Sequence, residues 1–261
     1  LQYKHKQVEE TLKRIGKVAL PECLPILGAV ETEHYRNKVE YTFGNKRYLL
    51  KEELSDESIN GQQDVAGFHA KGFFDKVVDI KECFLQAEPT NAIRLAVKEL
   101  QIVYETEKKE QKIKLLMETI TKQFPEITTL FYTVNTKWND SMFDLDPVVY
   151  HGKGFVIEKL EDFQFKIGPK SFFQTNTKQG EQLYKVTRDF AELTGNEIVY
   201  DLYCGTGSIG IFVSKLAKKI IGVEMIEAAI EDAKENATLN NLASTAFFAG
   251  DVIDICNDEF F

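Results

Sequence analysis

No apolar run in the 261 residues reaches the length needed to cross a bilayer, and no stretch has the pattern of a signal peptide. Cysteine is sparse: Cys23, Cys83, Cys204 and Cys256 show no paired metal-ligand spacing, which suggests a reducing, cytoplasmic setting. The histidines His5, His34, His69 and His151 are scattered and offer no ligand spacing either. Positive charge is not in excess. A formal net charge of −9 removes any general attraction to nucleic acid, so an RNA contact would need a local basic surface. There is no internal repeat and no low-complexity tract. The length suits two domains or one large one with a sizeable core, no membrane partner is expected, and a monomer is the expected state.

What the sequence does contain is organised around 196–241. Ile198–Asp201 is a short apolar run ending in an acid, followed by the loop CGTGSIG at 204–210. Ile209, Phe212, Val213 and Leu216 then recur at helical spacing. A second apolar run, Ile220–Val223, ends at Glu224, and Ile226, Ala229, Ile230 and Ala233 share a face of the next helix. This is a βαβα unit with a close-approach loop after its first strand and a carboxylate after its second, the architecture of a nucleotide-type cofactor site. Gly205 and Gly207 allow the backbone to turn tightly near a ligand. Glu224 lies 19 residues beyond Gly205, where a ribose-binding acid sits in such units.

GTGSIG matches the dinucleotide fingerprint, so a nicotinamide cofactor is one reading. Asp201, expected at the mouth of the loop, would repel a pyrophosphate. S-adenosylmethionine carries an ammonium and a sulfonium, both favoured by a nearby anion. Asp251, after the apolar run 246–249, adds an acid at a third strand end and could accept from an adenine amino group. The plain alternative is that these acids cap the helices that follow.

Upstream, 1–16 reads as an amphipathic helix. HYRNKVEYTFGNKRYLLK at 34–51 reads as a hairpin turning at Gly44-Asn45, with Arg36, Lys38, Lys46, Arg47 and Lys51 among aromatics. That mixture suits RNA contact, and equally a solvated β-surface. A second hairpin is predicted over 64–80, helices over 89–100 and about 107–123, and strands at QIVYE 101–105, at 130–134, 148–150 and 155–160. NTKWND at 135–140 reads as a polar loop, and FQFKIGPKSFFQTN at 163–176 as a strand, a turn and an aromatic stretch. A helix over 177–194 carries Leu183, Val186, Phe190 and Leu193.

FFQTN (172–176), VYDLYCGTGSIG (199–210), GVEMIEAAIEDAKENA (222–237) and FFAGD (247–251), with YRNKVEYTFG (35–44), GFHAKGFFDKVVDIKEC (67–83) and NTKWND upstream, resemble the RNA uracil-5-methyltransferase family, most closely the type acting on 23S ribosomal RNA. The resemblance implies an α/β fold. A Rossmann-like S-adenosylmethionine-binding domain at 161–261, apparently incomplete, would follow an α+β central, RNA-contacting domain at 1–160. It implies cofactor contacts from Gln174 and Tyr203 beside Gly205, ribose binding by Glu224 and an adenine neighbour in Asp251. Cys83 would correspond to the last of four cysteines holding a [4Fe–4S] cluster. RNA is the implied partner, with tRNA the alternative to 23S ribosomal RNA. A non-catalytic RNA-binding module also stays open.

The family's Ser-Cys-Asn-Pro nucleophile motif and its C-terminal glutamate base do not occur in this sequence. Together with Leu1 at the start, NDEFF at the end and a short join near 100–102, this gives the expectation of an incompletely represented chain. Those two residues matter because uracil C5 is a poor nucleophile. Thiolate addition at C6 activates it, and a base then removes the C5 proton. Cys204, next to the glycine loop, is expected to pack or line the cofactor rather than to attack a base, and Cys256 lies near the chain end.

Overall fold

The structure, a computed structural model, describes residues 1–56, 58–73, 75–103, 109–137, 141–142 and 144–257. The predicted polar loop lies outside these residues beyond Lys137, as does QIVYE beyond Val103. Chain contacts divide the molecule into Leu1–Thr32 and Glu33–Phe261. The first unit contains α1 (Gln2–Arg14), whose last turn carries Lys13 and Arg14, favourable charges at a helix C-terminus.

In the second unit, β1 (Thr42–Lys46), β2 (Gln62–His69) and β3 (Val77–Asp79) form an antiparallel sheet in the order β1-β2-β3. The hairpin predicted over 34–51 does not form. Gly44 and Asn45 lie inside β1, where the register with β2 shifts between Gly44 and Lys46, and β1 pairs with the distant β2. A bulge absorbs the glycine that the sequence offers as a turn. The 64–80 hairpin does form, with Gly72 at φ 84. Next come α2 (Thr90–Val103) and α3 (Lys109–Gln123). The predicted strand at 101–105 is helix as far as Val103. Ile93, Ala96, Val97 and Leu100 continue one apolar stripe against Ile120 and Phe124, and that packing overrides the β-branched propensity.

The strands β4 (Thr129–Tyr132) and β5 (Val148–Gly152) pair antiparallel, as do β6 (Val156–Leu160) and β7 (Phe163–Ile167). After these, α4 (Thr177–Phe190) leads to β8 (Ile198–Leu202), α5 (Ser208–Val213), β9 (Lys219–Glu224), α6 (Glu227–Leu239), β10 (Thr245–Ala249) and α7 (Val252–Ile255). The last three strands make a parallel sheet in the order β10-β9-β8. Central β9 is buried along Ile220, Ile221, Gly222 and Val223, as expected for a strand covered on both faces.

Phe163, Phe165, Tyr184, Phe212, Ile220 and Ile230 belong to one core cluster. Each large side chain buried there contributes about 1.5–3 kcal/mol relative to exposure. Because β6 and β7 pack with α4 and α6, the expected domain boundary at 160/161 falls within the second unit. Asn236 of α6 and its C-cap Asn240 tie the open edge of β7: Lys166 N donates to Asn236 Oδ1 at 2.7 Å, and Gln164 N to Asn240 Oδ1 at 2.8 Å. Of the apolar stripe predicted over 177–194, only Leu193, beyond the end of α4, packs against this core. Leu183, Val186 and Phe190 are exposed, while Gly180 and Tyr184 are buried. A Cβ at residue 180 would stand 2.9 Å from Gln174 Cβ, so close approach at Gly180 sets the contact face.

Candidate functional site

Parallel register brings three strand ends level. Val223 pairs with Leu202 and Glu224 with Ala249, and Gly250 N donates to Glu224 O at 2.9 Å. Tyr203, Glu224 and Asp251 therefore stand along one carboxyl edge of the sheet, where open α/β sheets take ligands. Cys204 N donates to Val223 O at 3.0 Å, pinning the loop to the central strand. Tyr203 has φ 62 and is 73% exposed, an unusual backbone state for an aromatic residue and one that leaves its ring beside the loop.

The glycines play separate parts. Gly205 has φ 54 and open space around it, so the backbone there is accessible to a ligand. Gly207 has φ 75, and a Cβ would lie 3.1 Å from both Ala233 Cβ and Phe247 Cε1, so it serves close packing beneath the loop. Glu224 bridges this loop to α6. Its Oε2 accepts from Gly205 N at 3.2 Å and its Oε1 from Ile226 N at 3.0 Å, leaving lone pairs on both oxygens.

Asp201 differs from expectation. Its carboxylate is not at the mouth of the loop but turned inward, accepting from Gly210 N at 2.8 Å. Gly207, the N-cap of α5, has no side chain, and Asp201 supplies the missing cap. Burial pushes its carboxyl up, against the pull of that hydrogen bond. The case against a pyrophosphate consequently rests on different ground: the Gly210 N–H at this helix start is already occupied by a carboxylate. Asp251 acts as the N-cap of α7, accepting from Ile253 N at 2.9 Å, and remains exposed.

FFQTN reaches the same loop. Thr206 Oγ1 donates to Phe172 O at 3.5 Å, and the Gln174 side chain stands near the Tyr184 hydroxyl, which lies 2.9 Å from Ser208 Oγ. The YRNK segment holds FFQTN from the other side. Asn37 N donates to Thr175 O at 2.8 Å, and Asn37 Nδ2 to Gln174 O at 3.0 Å. Arg36 forms a bridge with Asn176. Sequence reasoning missed Asn37, Tyr184 and Asn236. Only Asn236 left a signal, an amide on the apolar face between Ala233 and Ala237. It is fully buried, and its Nδ2 donates to Thr206 O at 3.2 Å.

These residues fit an adenosylmethionine. An open glycine backbone, an exposed aromatic ring and carboxylate oxygens line the edge, and no lysine or arginine occurs in 200–207, 224–226 or 250–251. Cys204 is buried, and burial first, then Asp201 and Glu224, push its thiol up to about 12, which unsuits it as a nucleophile.

Cys83 is buried at the start of the 83–88 turn. Burial acts to raise its thiol, but its setting beside the Tyr41 hydroxyl, the Leu85 and Gln86 backbone and the Arg94 guanidinium brings it below the usual cysteine value. Among the described residues no group of three or more His, Cys, Asp or Glu is placed to hold a metal, so they do not by themselves supply a [4Fe–4S] site. The basic stretch is also partly neutralised: Lys46 pairs with Asp75 at 2.7 Å and Arg47 with Glu53 at 2.5 Å. Arg36 and Lys38 line a cavity of about 420 Å³ together with Phe68, Phe172 and Phe173. Among the described residues no helix is long and apolar enough to cross a membrane.

A family profile described as a methyltransferase domain matches residues 193–260. A protein of Bacteroides thetaiotaomicron named uncharacterized RNA methyltransferase is 43% identical over 295 residues, a match covering 100% of this chain and 65% of that protein. One of Porphyromonas gingivalis with the same name is 41% identical over 297 residues, covering 100% and 64%. The chain thus spans less than two thirds of the length of these relatives. Among solved structures, the Pyrococcus abyssi tRNA (uracil-54, C5)-methyltransferase in complex with S-adenosyl-L-homocysteine superposes with a TM-score of 0.58 at 22% identity, covering 84% of this chain and 56% of that one. That likeness is one of fold.

Proposed function

We propose, on the premise that this chain is a relative of proteins named RNA methyltransferase and resembles the uracil-5 family in its motifs, that the native protein transfers a methyl group from S-adenosylmethionine to C5 of a uridine in RNA. One observation carries the reading. FFQTN and the glycine loop, separate in sequence, are joined by the Thr206–Phe172 hydrogen bond, and α4, which follows FFQTN, is tied to the same loop by Tyr184 and Ser208.

Residues 161–261 hold the cofactor in this reading and residues within 1–160 contact RNA. Glu224 accepts from the ribose hydroxyls while its remaining capacity fixes Gly205 and Ile226. Tyr203 offers its ring, Gln174 lies against the reacting end, and Asp251 stands near the adenine. Bound S-adenosylmethionine supplies an electrophilic methyl on a sulfonium. A strand lying over Arg36 and Lys38, along the cavity that Phe172 and Phe173 line, delivers an unstacked uridine beside Gln174. The thiolate for C6 and the base for the C5 proton are not assigned in this chain. A [4Fe–4S] cluster at Cys83 would need three further thiolates, and iron analysis of the native protein tests it.

The motifs favour 23S ribosomal RNA as substrate. A second reading, tRNA, is favoured by what the Pyrococcus neighbour acts on. Transfer of labelled methyl from S-adenosylmethionine to the two RNAs by the native protein decides between them. Label in 5-methyluridine of 23S ribosomal RNA is the expected result, label in tRNA alone moves the substrate, and label in neither rejects the proposal.

A further inference from the structure

A second cavity, of about 260 Å³, has Phe173 in its lining. Phe131 of β4, Phe155, Ile167 of β7 and Phe173 give it apolar and aromatic walls, and Lys38 stands at it too. Lys38 and Phe173 also line the 420 Å³ cavity with Arg36, so the two spaces share a wall. One polar side chain in the smaller space is unexplained by the fold. Glu158 of β6 accepts from Thr177 Oγ1 at 3.3 Å, and no cation among the described residues pairs with it. Burial pushes its carboxyl up, as a desolvated acid without a counter-charge requires. Thr177 is in turn held by Asn37, whose Nδ2 lies 2.8 Å from Thr177 Oγ1. The acid is therefore fixed in place with most of its accepting capacity unused.

Aromatic walls beside a basic rim suit a stacked base, and a fixed carboxylate selects among bases by their donors. Uracil presents one N–H between two carbonyl oxygens, which a carboxylate repels. Adenine and cytosine each present a single amino group. Guanine alone presents two adjacent donors, N1–H and the 2-amino group, matching the two oxygens of a carboxylate.

We propose that this cavity is a guanine subsite for the RNA strand that carries the target uridine, with Glu158 accepting from N1–H and the 2-amino group. The proposal rests on the reading that the native protein binds RNA. Its test is fluorescence anisotropy of the native protein with uridine dodecamers carrying one central guanosine, inosine or adenosine. Inosine lacks only the 2-amino group. The guanosine oligomer is expected to bind about tenfold more tightly than the inosine one, within the range by which a bidentate contact discriminates bases. Glu158→Gln should abolish that preference while S-adenosylmethionine binding, a check that the fold is intact, is retained. Equal binding of all three oligomers by the unaltered protein, or a preference unchanged in Glu158→Gln, overturns the subsite and leaves RNA binding standing. No binding of any oligomer overturns the RNA reading and the subsite with it.

Discussion

Glu197 and Asp201 stand just before β8 and near its end, and their carboxyls are shifted in opposite directions. Glu197 accepts from the Thr194 hydroxyl and from the Thr194, Gly195 and Asn196 amides, which bring it down to about 2. Its stabilising effect is present above the ordinary glutamate range and is lost as pH falls toward 2. Asp201 is raised by burial, so its effect is present below the ordinary aspartate range and is lost as pH rises through its raised value. Urea midpoints measured from pH 2 to 7 should show Glu197→Gln falling further below the unaltered protein as pH rises. Asp201→Asn should gain on it over the same range. Parallel curves would contradict both assignments. Asp201→Ala also strands Gly210 N and should cost about 1–3 kcal/mol. The sequence gives no sign of which way this acid points: an aspartate at a strand end reads alike whether it faces a ligand or caps the next helix.

Among elements, the loop between β8 and α5 separates two glycine roles that one motif conceals. Gly207→Ala combines a left-handed φ with contacts at 3.1 Å, whereas Gly205→Ala meets nothing within 4 Å. Both substitutions carry the cost of a left-handed φ, about 1–2 kcal/mol, so thermal unfolding should show Gly207→Ala the more destabilised by the further cost of those contacts. Equal losses would mean that the packing under the loop is loose. The β8–α6 run was legible because helix and strand periods are local properties of a chain. Partners are not. Nothing in TFGNK says that it pairs with β2 rather than folding back at Gly44, and the stripe Leu183, Val186, Phe190 shows that α4 is amphipathic without saying which face meets Gln174. Asn236→Ala, which removes the link among β7, α6 and Thr206, should cost about 1–3 kcal/mol in denaturant unfolding. A change within a few tenths would assign that link to water instead.

Over the whole molecule, an excess of negative charge leaves the proposed RNA contact to local cations, and ion pairing removes some of those that the sequence nominates. Arg36→Ala with Lys38→Ala should weaken RNA binding and reduce the slope of log affinity against log salt by about 2. Arg47→Ala, which breaks the pair with Glu53, should leave that slope alone. A slope that moves with Arg47 and not with Arg36 and Lys38 would place the RNA path on the β1–β2 side instead. The family resemblance nominated the cofactor motifs. It could not show that YRNK and FFQTN touch, because that contact depends on tertiary structure. The most direct test of the cofactor cleft is calorimetric titration of the native protein with S-adenosylmethionine and, separately, with NADH, repeated for Glu224→Gln. Saturable binding of S-adenosylmethionine, weakened about tenfold or more in Glu224→Gln, and no heat from NADH is the predicted result. Binding of NADH in place of S-adenosylmethionine, or an S-adenosylmethionine affinity indifferent to Glu224, would contradict it.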